Sequence, residues 1–324
     1  MSILDLHLRM YLTLAIVFSI GFGVIYAIMF YFGFGLYVIL PLAIMFFLLQ
    51  WYLSPAILKA TAKLRYIKDN EYPKLHNMVN ELAKEAGVPV PRIAIAPTTI
   101  PNAFVFGRSL RSATLVVHEG LLNMLNDNEL RSVLAHEIGH LKHNDVWVMT
   151  FVAFIPMIGW MLAQNLFFGG MFGNRNNTST LIALGMAGFI VYFLSQLLIL
   201  SLSRLRETYA DEYSAVSTKH PEHLASSLLK ITGANAVATQ QQVAQSQTIA
   251  KNFYFVDGTA SKTEVQEIEN HKDDIRKLLP NIDIDAFIER VKAEKAGFGI
   301  SSLFATHPPA HKRILFLAKI KKGM

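Results

Sequence analysis

Two long runs of apolar residues interrupt an otherwise mixed sequence. Residues 10–53 contain no Asp, Glu, Lys or Arg, and residues 146–203 contain Arg175 as their one charged side chain. About 20 apolar residues are enough to cross the hydrocarbon core of a bilayer, so each run is long enough for two spans. The pattern therefore predicts four transmembrane helices, at 10–32, 37–53, 146–168 and 181–202. A buried hairpin in the core of a soluble protein is the alternative, which charge-free runs of this length disfavour.

The polar and apolar stretches divide the chain into four segments. Residues 1–53 and 146–203 are predicted to form two transmembrane hairpins, and residues 54–145 and 204–324 are polar. In the first polar segment the periodicity predicts helices at 70–87 and 127–143 and short strands at 92–96, 102–106 and 114–117. In the second it predicts helices at 222–232, 262–279 and 285–295 and a flexible loop at 236–247. We expect an α+β integral membrane protein whose polar part is mainly helical with a small antiparallel sheet.

Positive charges are concentrated at one set of predicted span ends. They are Lys59, Lys63, Arg65, Lys68, Lys142, Arg204 and Arg206. Because Lys and Arg flanking membrane spans favour the cytoplasmic side, both termini and both polar segments are expected in the cytoplasm of a multi-pass plasma-membrane protein. The two polar segments then share one side and can form one domain. The net charge of +6 suits contact with anionic lipid, and no aromatic-interleaved basic patch suggests nucleic acid.

The most specific chemical signal is His136-Glu137-Ile138-Gly139-His140, inside the helix predicted at 127–143. Residues four apart on an α-helix project from the same face, so both imidazoles can bind a single zinc ion. Glu137 lies beside that face, where its carboxylate can take a proton from water activated by the metal. Asn126 and Glu129 have the spacing of a capping box that would start this helix. Although the five-residue pattern also arises by chance, this helical context favours a zinc site.

A catalytic zinc ion usually has three protein ligands, and this chain contains no cysteine. The strongest candidate for the third ligand is Glu207, which lies four residues before Asp211 on the same predicted helix face. Asp211 could accept the free ring N–H of a ligand histidine and so orient its ring. The alternative is that these acids, together with Arg204 and Arg206, form a solvated helix face. The presence of the first motif favours the ligand interpretation.

These motifs, in this order and with membrane hairpins before and between them, resemble the HtpX-type membrane zinc metalloproteases, which are related to the CAAX prenyl proteases. The matching stretches are Asn102-Ala103-Phe104, the two metal motifs, and Thr306-His307-Pro308-Pro309 followed by Arg313-Ile314. The resemblance implies a zincin-like (gluzincin) catalytic domain with one Zn²⁺ per chain. It also implies a role in stress response and protein quality control, acting on misfolded or damaged membrane proteins.

The same resemblance assigns roles to individual residues. His136, His140 and Glu207 would be zinc ligands, and Glu137 the general base. Asn102, Ala103 and Phe104 would be an edge strand that binds extended polypeptide substrates. His307 and Arg313 would stabilise the oxyanion at the attacked carbonyl; a helix start with ordinary surface residues is the alternative for that pair.

The expected reaction is hydrolysis of peptide bonds at the cytoplasmic face by a zinc metalloendopeptidase. Within enzymes, an intramembrane protease is less consistent with the charged residues around the motif helix. A transporter-like protein would need more ionisable groups at membrane depth than the predicted spans contain. A non-catalytic membrane scaffold with structural zinc would have no use for Glu137. The sequence leaves the natural substrates and the oligomeric state undetermined.

Overall fold

The computed structural model describes residues 36–68, 70–172, 178–237, 267–280, 284–285, 288–289 and 307–324. The chain divides into two units, one from the described parts of Ile3–Leu53 and Val148–Leu202 and the other from those of Ser54–Trp147 and Ser203–Met324. The helix predicted at 285–295 and the loop predicted at 236–247 lie almost wholly outside the described residues.

The first unit is helical. Its described residues belong to α1 (Leu36–Thr61), α5 (Asp145–Phe172) and α6 (Thr178–Thr218), each of which also has residues in the second unit. A Cβ on Gly188 would lie 2.7 Å from the Cβ of Ala163, and one on Gly185 would lie 2.5 Å from the backbone of Phe167. These small residues therefore let α5 and α6 pack backbone against backbone, as small residues do in membrane helix pairs.

Among the described residues, one helix, Thr178–Thr218, is long and apolar enough to cross a membrane. Large apolar side chains are exposed along it, with Leu194 at 52% and Leu198 at 71%. The structure thus identifies one candidate span where the sequence predicts four. The span predicted at 10–32 lies outside the described residues. The spans predicted at 37–53 and 146–168 lie within α1 and α5. Both are helical, but a helix in the core of a soluble protein has the same conformation as a membrane span.

The second unit is built around a four-stranded sheet. Its strands are β1 (Arg65–Tyr66), β2 (Arg92–Ala96), β3 (Ala103–Phe106) and β4 (Thr114–His118), in the order β1-β2-β4-β3. The predicted antiparallel sheet is wrong in one respect: β4 pairs parallel with β2 and antiparallel with β3, so the sheet is mixed. The reason lies in β4, whose five residues are all buried. A strand covered on both faces is most stable in the interior of a sheet, so β4 inserts between β2 and β3.

Helices cover this sheet and carry most of the remaining sequence. They are α2 (Pro73–Ala86), α3 (Glu119–Met124), α4 (Asp127–Lys142), the end of α6, α7 (Pro221–Val237), α8 (Lys272–Leu278) and α9 (Ala310–Gly323). The main core joins one sheet face to α2, α4 and α7 through fully buried side chains such as Leu82, Leu115, Leu134 and Leu228. The other sheet face packs against the end of α1 through Leu58. Every residue from 132 to 139 in the middle of α4 is buried.

Candidate metal centre

Two helices of the second unit bring the predicted ligands together. Helix α4 starts at the predicted capping box, in which the Asn126 side chain accepts from the Glu129 backbone and the Glu129 carboxylate accepts from the Asn126 backbone. A Cβ on Gly139 of α4 would lie 3.3 Å from the Cα of Ala210 on α6. These two small residues let α4 and α6 approach closely at the level of the ligands.

The donor atoms of His136, His140 and Glu207 converge on one point. The Nε2 atoms of the two histidines are 3.1 Å apart. Glu207 Oε2 lies 3.5 Å from His136 Nε2, and Glu207 Oε1 lies 3.4 Å from His140 Nε2. A tetrahedral zinc ion with N and O ligands at about 2.0–2.2 Å separates neighbouring donors by about 3.3–3.6 Å. Buried Glu207 Oε2 makes no hydrogen bond with the residues that the structure describes. The two oxygen–nitrogen distances lie within the range for zinc and the Nε2–Nε2 distance lies just below it, so the spacing of the donors is close to that around a zinc ion, and their chemical type fits one.

The second ring nitrogen of His136 faces an acid that is itself held by an arginine. His136 Nδ1 lies 2.9 Å from Asp211 Oδ1, as the spacing of the second motif suggested. Arg313 donates to both Asp211 oxygens, from Nη2 at 2.6 Å and from Nε at 2.8 Å. This arrangement leaves Nε2 of His136 as the nitrogen available to a metal.

The structure places Arg313 behind the ligands rather than at an open face of the centre. Its side chain is 2% exposed, two of its nitrogens are bound to Asp211, and Nη1 lies 3.5 Å from Glu207 Oε2. Burial alone would raise the pKa of the Asp211 carboxyl, but the Arg313 guanidinium and His136 together outweigh burial and lower that pKa. The oxyanion role implied by the resemblance is thus less compatible with these contacts than a role in holding Asp211.

An equivalent set of contacts surrounds Nδ1 of His140, and the sequence motifs did not predict it. His140 Nδ1 lies 2.5 Å from Asp145 Oδ2, and Arg206 Nη2 lies 2.5 Å from Asp145 Oδ1. Asp145 follows His140 by five residues, outside the four-residue helical spacing that reveals the other ligands. Burial lowers the pKa of the Arg206 guanidinium to about 10. A signal did exist in the sequence: Asp145 is the last charged residue before the second apolar run.

The two glutamates of the centre have opposite electrostatic environments. Burial raises the pKa of the Glu137 carboxyl, and the nearby His140 and His136 offset only part of this effect. Burial would also raise the pKa of Glu207, but the facing His307, His136 and His140 outweigh it and hold that pKa well below its usual range. Glu207 is therefore suited to remain an anionic ligand, whereas Glu137 is suited to exchange a proton.

His307 lies at the same centre, although residues 141–306 separate it in sequence from the first motif. Its Nδ1 is 3.1 Å from Glu207 Oε1, and neither ring nitrogen is hydrogen-bonded to any residue described here. His307 precedes α9, whose first turns also place Arg313. The end of the chain thus contributes two side chains to the ligand cluster.

The predicted substrate-binding residues lie at an edge of the sheet. His118 N–H donates to the backbone carbonyl of Asn102, and Phe104 is opposite Val116 in the antiparallel pair. Because hydrogen-bonded and non-bonded pairs alternate, the backbone groups of Asn102 and Phe104 are directed at β4. Those of Ala103 and Val105 are directed away from β4, where the described residues contain no further strand. Of the three predicted residues, only Ala103 has its backbone groups on the open side.

Comparison with known proteins gives matches along most of the chain. Residues 69–321 match the sequence model of peptidase family M48. A protein of Methanothermobacter thermautotrophicus named Protease HtpX homolog is 38% identical over 234 residues, which cover 71% of this chain and 87% of the relative. A Thermoplasma acidophilum protein of the same name is 30% identical over 336 residues, or 99% of each chain.

A solved structure has a related fold. The crystal structure of S. mikatae Ste24p aligns with a TM-score of 0.51 at 18% sequence identity, covering 95% of this chain. The alignment spans 65% of the Ste24p chain. The family match, the HtpX-type relatives and the converging ligands confirm the resemblance inferred from the motifs: this chain belongs to peptidase family M48.

Proposed function

We propose that this protein is a membrane-bound zinc metalloendopeptidase with His136, His140 and Glu207 as its zinc ligands. The observation that carries the proposal is the convergence of these three donor groups, all within 4.8 Å of one another, next to the buried Glu137. A structural zinc site normally has four protein ligands, whereas three ligands and an adjacent carboxylate are typical of catalysis.

The catalytic work of the chain's own residues follows from their positions. A zinc ion held by these ligands supplies a Lewis acid that polarises a peptide carbonyl and makes water more acidic. Glu137 takes a proton from the attacking water and delivers it to the leaving amine when the C–N bond breaks. The raised pKa of Glu137 suits a group that must both accept and release a proton. His307 is the candidate donor to the oxyanion, because its ring nitrogens have no other hydrogen bond within the described part of the chain.

The substrate is proposed to bind as an additional strand on the open side of β3. Its backbone would pair with Ala103 and Val105, the two residues whose peptide groups are directed away from β4. Main-chain pairing recognises extended polypeptide with little dependence on side chains, which suits misfolded or damaged proteins as substrates. Helix α4 packs against β3, so a peptide at this edge would run beside the helix that carries Glu137.

We further propose that the enzyme is a multi-pass plasma-membrane protein with its catalytic domain, formed by residues 54–145 and 204–324, in the cytoplasm. The exposed apolar side chains of α6 and the Lys and Arg residues next to the apolar runs support this topology. Substrates in this location would include membrane proteins, and the enzyme would serve protein quality control under stress.

The test compares wild-type protein with Glu137→Gln and with a control, Glu81→Gln, whose side chain is 61% exposed. Each detergent-solubilised protein is assayed for zinc content and for cleavage of an unfolded protein. We expect all three to hold one zinc ion per chain and Glu137→Gln to lose at least about 100-fold in turnover, the usual contribution of a general base. Equal turnover by wild type and Glu137→Gln would refute the assignment of the base. Wild-type protein without zinc would refute the site.

A further inference from the structure

The carboxylate of Asp145 bridges two other elements of the fold. One of its oxygens lies 2.5 Å from Nδ1 of His140 on α4, and the other lies 2.5 Å from Nη2 of Arg206 on α6. Asp145 and Arg206 are each 8% exposed. A buried carboxylate and a buried guanidinium are stable in such a place only when they are paired, and here each is paired with the other.

The contacts at His140 repeat those at His136. At each histidine, Nδ1 faces an aspartate and the aspartate is bound by an arginine: Asp211 with Arg313 at His136, and Asp145 with Arg206 at His140. Both Nε2 atoms consequently point to the same place, 3.1 Å apart. The two aspartates come from different helices, since Asp211 lies on α6 and Asp145 at the start of α5.

An ordinary helix-start role does not account for Asp145. Acidic residues are common in the first turn of a helix because they interact favourably with its free N–H groups. The carboxylate of Asp145 instead contacts side chains of two other helices. Asn144, with φ at 57°, turns the chain between α4 and α5 and so allows Asp145 to return to His140.

We propose that Asp145 and Arg206 are the positioning residues of His140 and that they determine how tightly the centre holds its metal. This inference rests on the proposed zinc site. Asp145 accepts the Nδ1 proton of His140, which fixes the tautomer whose Nε2 can bind a metal. Arg206 acts through Asp145, because it holds the second carboxylate oxygen and so prevents rotation of the group.

The experiment uses full-length protein with Asp145→Asn, Arg206→Gln, the double variant, and Asp127→Asn as the matched control. Asp127 begins the same ligand-bearing helix, but its carboxylate is paired with Lys74 at the surface. Zinc dissociation is followed with a chromogenic chelator, and Co²⁺ substitution reports ligand geometry by its visible absorption. Thermal unfolding of the metal-free proteins provides the measure of folding.

We expect Asp145→Asn to weaken zinc binding by about 10- to 100-fold, the usual effect of removing such a partner, and to change the Co²⁺ spectrum. The control variant Asp127→Asn should match the wild type in both zinc affinity and Co²⁺ spectrum. Because Arg206 acts through Asp145, the double variant should lose no more affinity than Asp145→Asn alone. The double variant also leaves no unpaired charge, so it remains informative if a single variant folds poorly.

Three results would overturn this assignment in different ways. If Asp145→Asn has the same zinc affinity and the same Co²⁺ spectrum as the wild type, the positioning role is overturned while the zinc site stays intact. Multiplicative losses in the double variant would show that Arg206 does not act through Asp145. If the zinc affinity of Glu207→Ala equals that of the wild type, the proposed site itself is overturned, and the positioning role with it.

Discussion

The buried pair of Arg313 and Asp211 leads to a quantitative prediction for Arg313→Met. Arg313 is 2% exposed and makes hydrogen bonds of 2.6 and 2.8 Å to Asp211, which is itself fully buried. Removing one partner of a buried ion pair leaves the other charge without compensation, which usually costs about 3–5 kcal/mol. In a folding unit of this size each kcal/mol lowers Tm by roughly 2–4 °C, so we expect a fall of roughly 6–20 °C.

The assay is thermal unfolding of the detergent-solubilised protein in the presence of a chelator, so that loss of metal does not contribute. The matched control is Arg131→Met, because Arg131 also forms two contacts with acids, 2.7 Å to Glu81 and 3.3 Å to Glu85, but is 30% exposed. Surface ion pairs of this kind contribute about 0–1 kcal/mol. The control should therefore lose only a few degrees.

The result that would refute this reasoning is an unchanged Tm for Arg313→Met together with a large loss of turnover. That outcome would favour direct stabilisation of the oxyanion, the role that the family resemblance first implied. The double variant Asp211→Asn/Arg313→Met provides a second check, because it contains no unpaired buried charge. Its Tm should lie above that of Arg313→Met.

Three further predictions concern the ligand, the edge strand and a buried histidine. Glu207→Ala should lower zinc occupancy, measured on purified protein, because it removes one of three ligands. Val105→Pro should raise KM for polypeptides with little change in Tm, since the Val105 N–H is directed away from β4 and is not part of the sheet. Burial lowers the pKa of His118 to about 4, so this side chain is neutral in the folded protein. The unfolded chain takes up a proton below about pH 6.5, and stability should therefore fall by up to about 3 kcal/mol as the pH drops from 6.5 to 4.

Each of the three has a control in the chain. Glu222→Ala removes a carboxylate from a second cluster of possible metal ligands among the described residues, formed by His220, Glu222 and His223. Equal loss of zinc in this variant and in Glu207→Ala would contradict the ligand assignment. Phe104→Pro should destabilise the sheet where Val105→Pro does not, because its N–H is directed at β4. For His118, the urea midpoint is compared between pH 7 and 4.5 in wild type and His118→Gln, and an identical pH dependence in both would be inconsistent with the assignment.

Much of the secondary structure could be predicted from local pattern. The helices predicted at 70–87 and 127–143 are found at Pro73–Ala86 and Asp127–Lys142, and the three strands are found within one residue at each end. Periodicity succeeds for α2 because only one face of that helix is buried. In α4, where residues 132–139 are all buried, the capping box marks the start of the helix. The two-residue strand β1 is too short to show a period of hydrophobic residues, so the pattern did not predict it.

By itself, the sequence determined what depends on neighbours along the chain. Four-residue spacing put His136 with His140 and Glu207 with Asp211, because the turn of an α-helix is the same in every fold. Tertiary structure alone decided which segments meet: it placed β4 beside β2, Arg313 on Asp211, and Asp145 between His140 and Arg206. These contacts depend on which buried surfaces and charges can be satisfied together in three dimensions, and no local period records that choice.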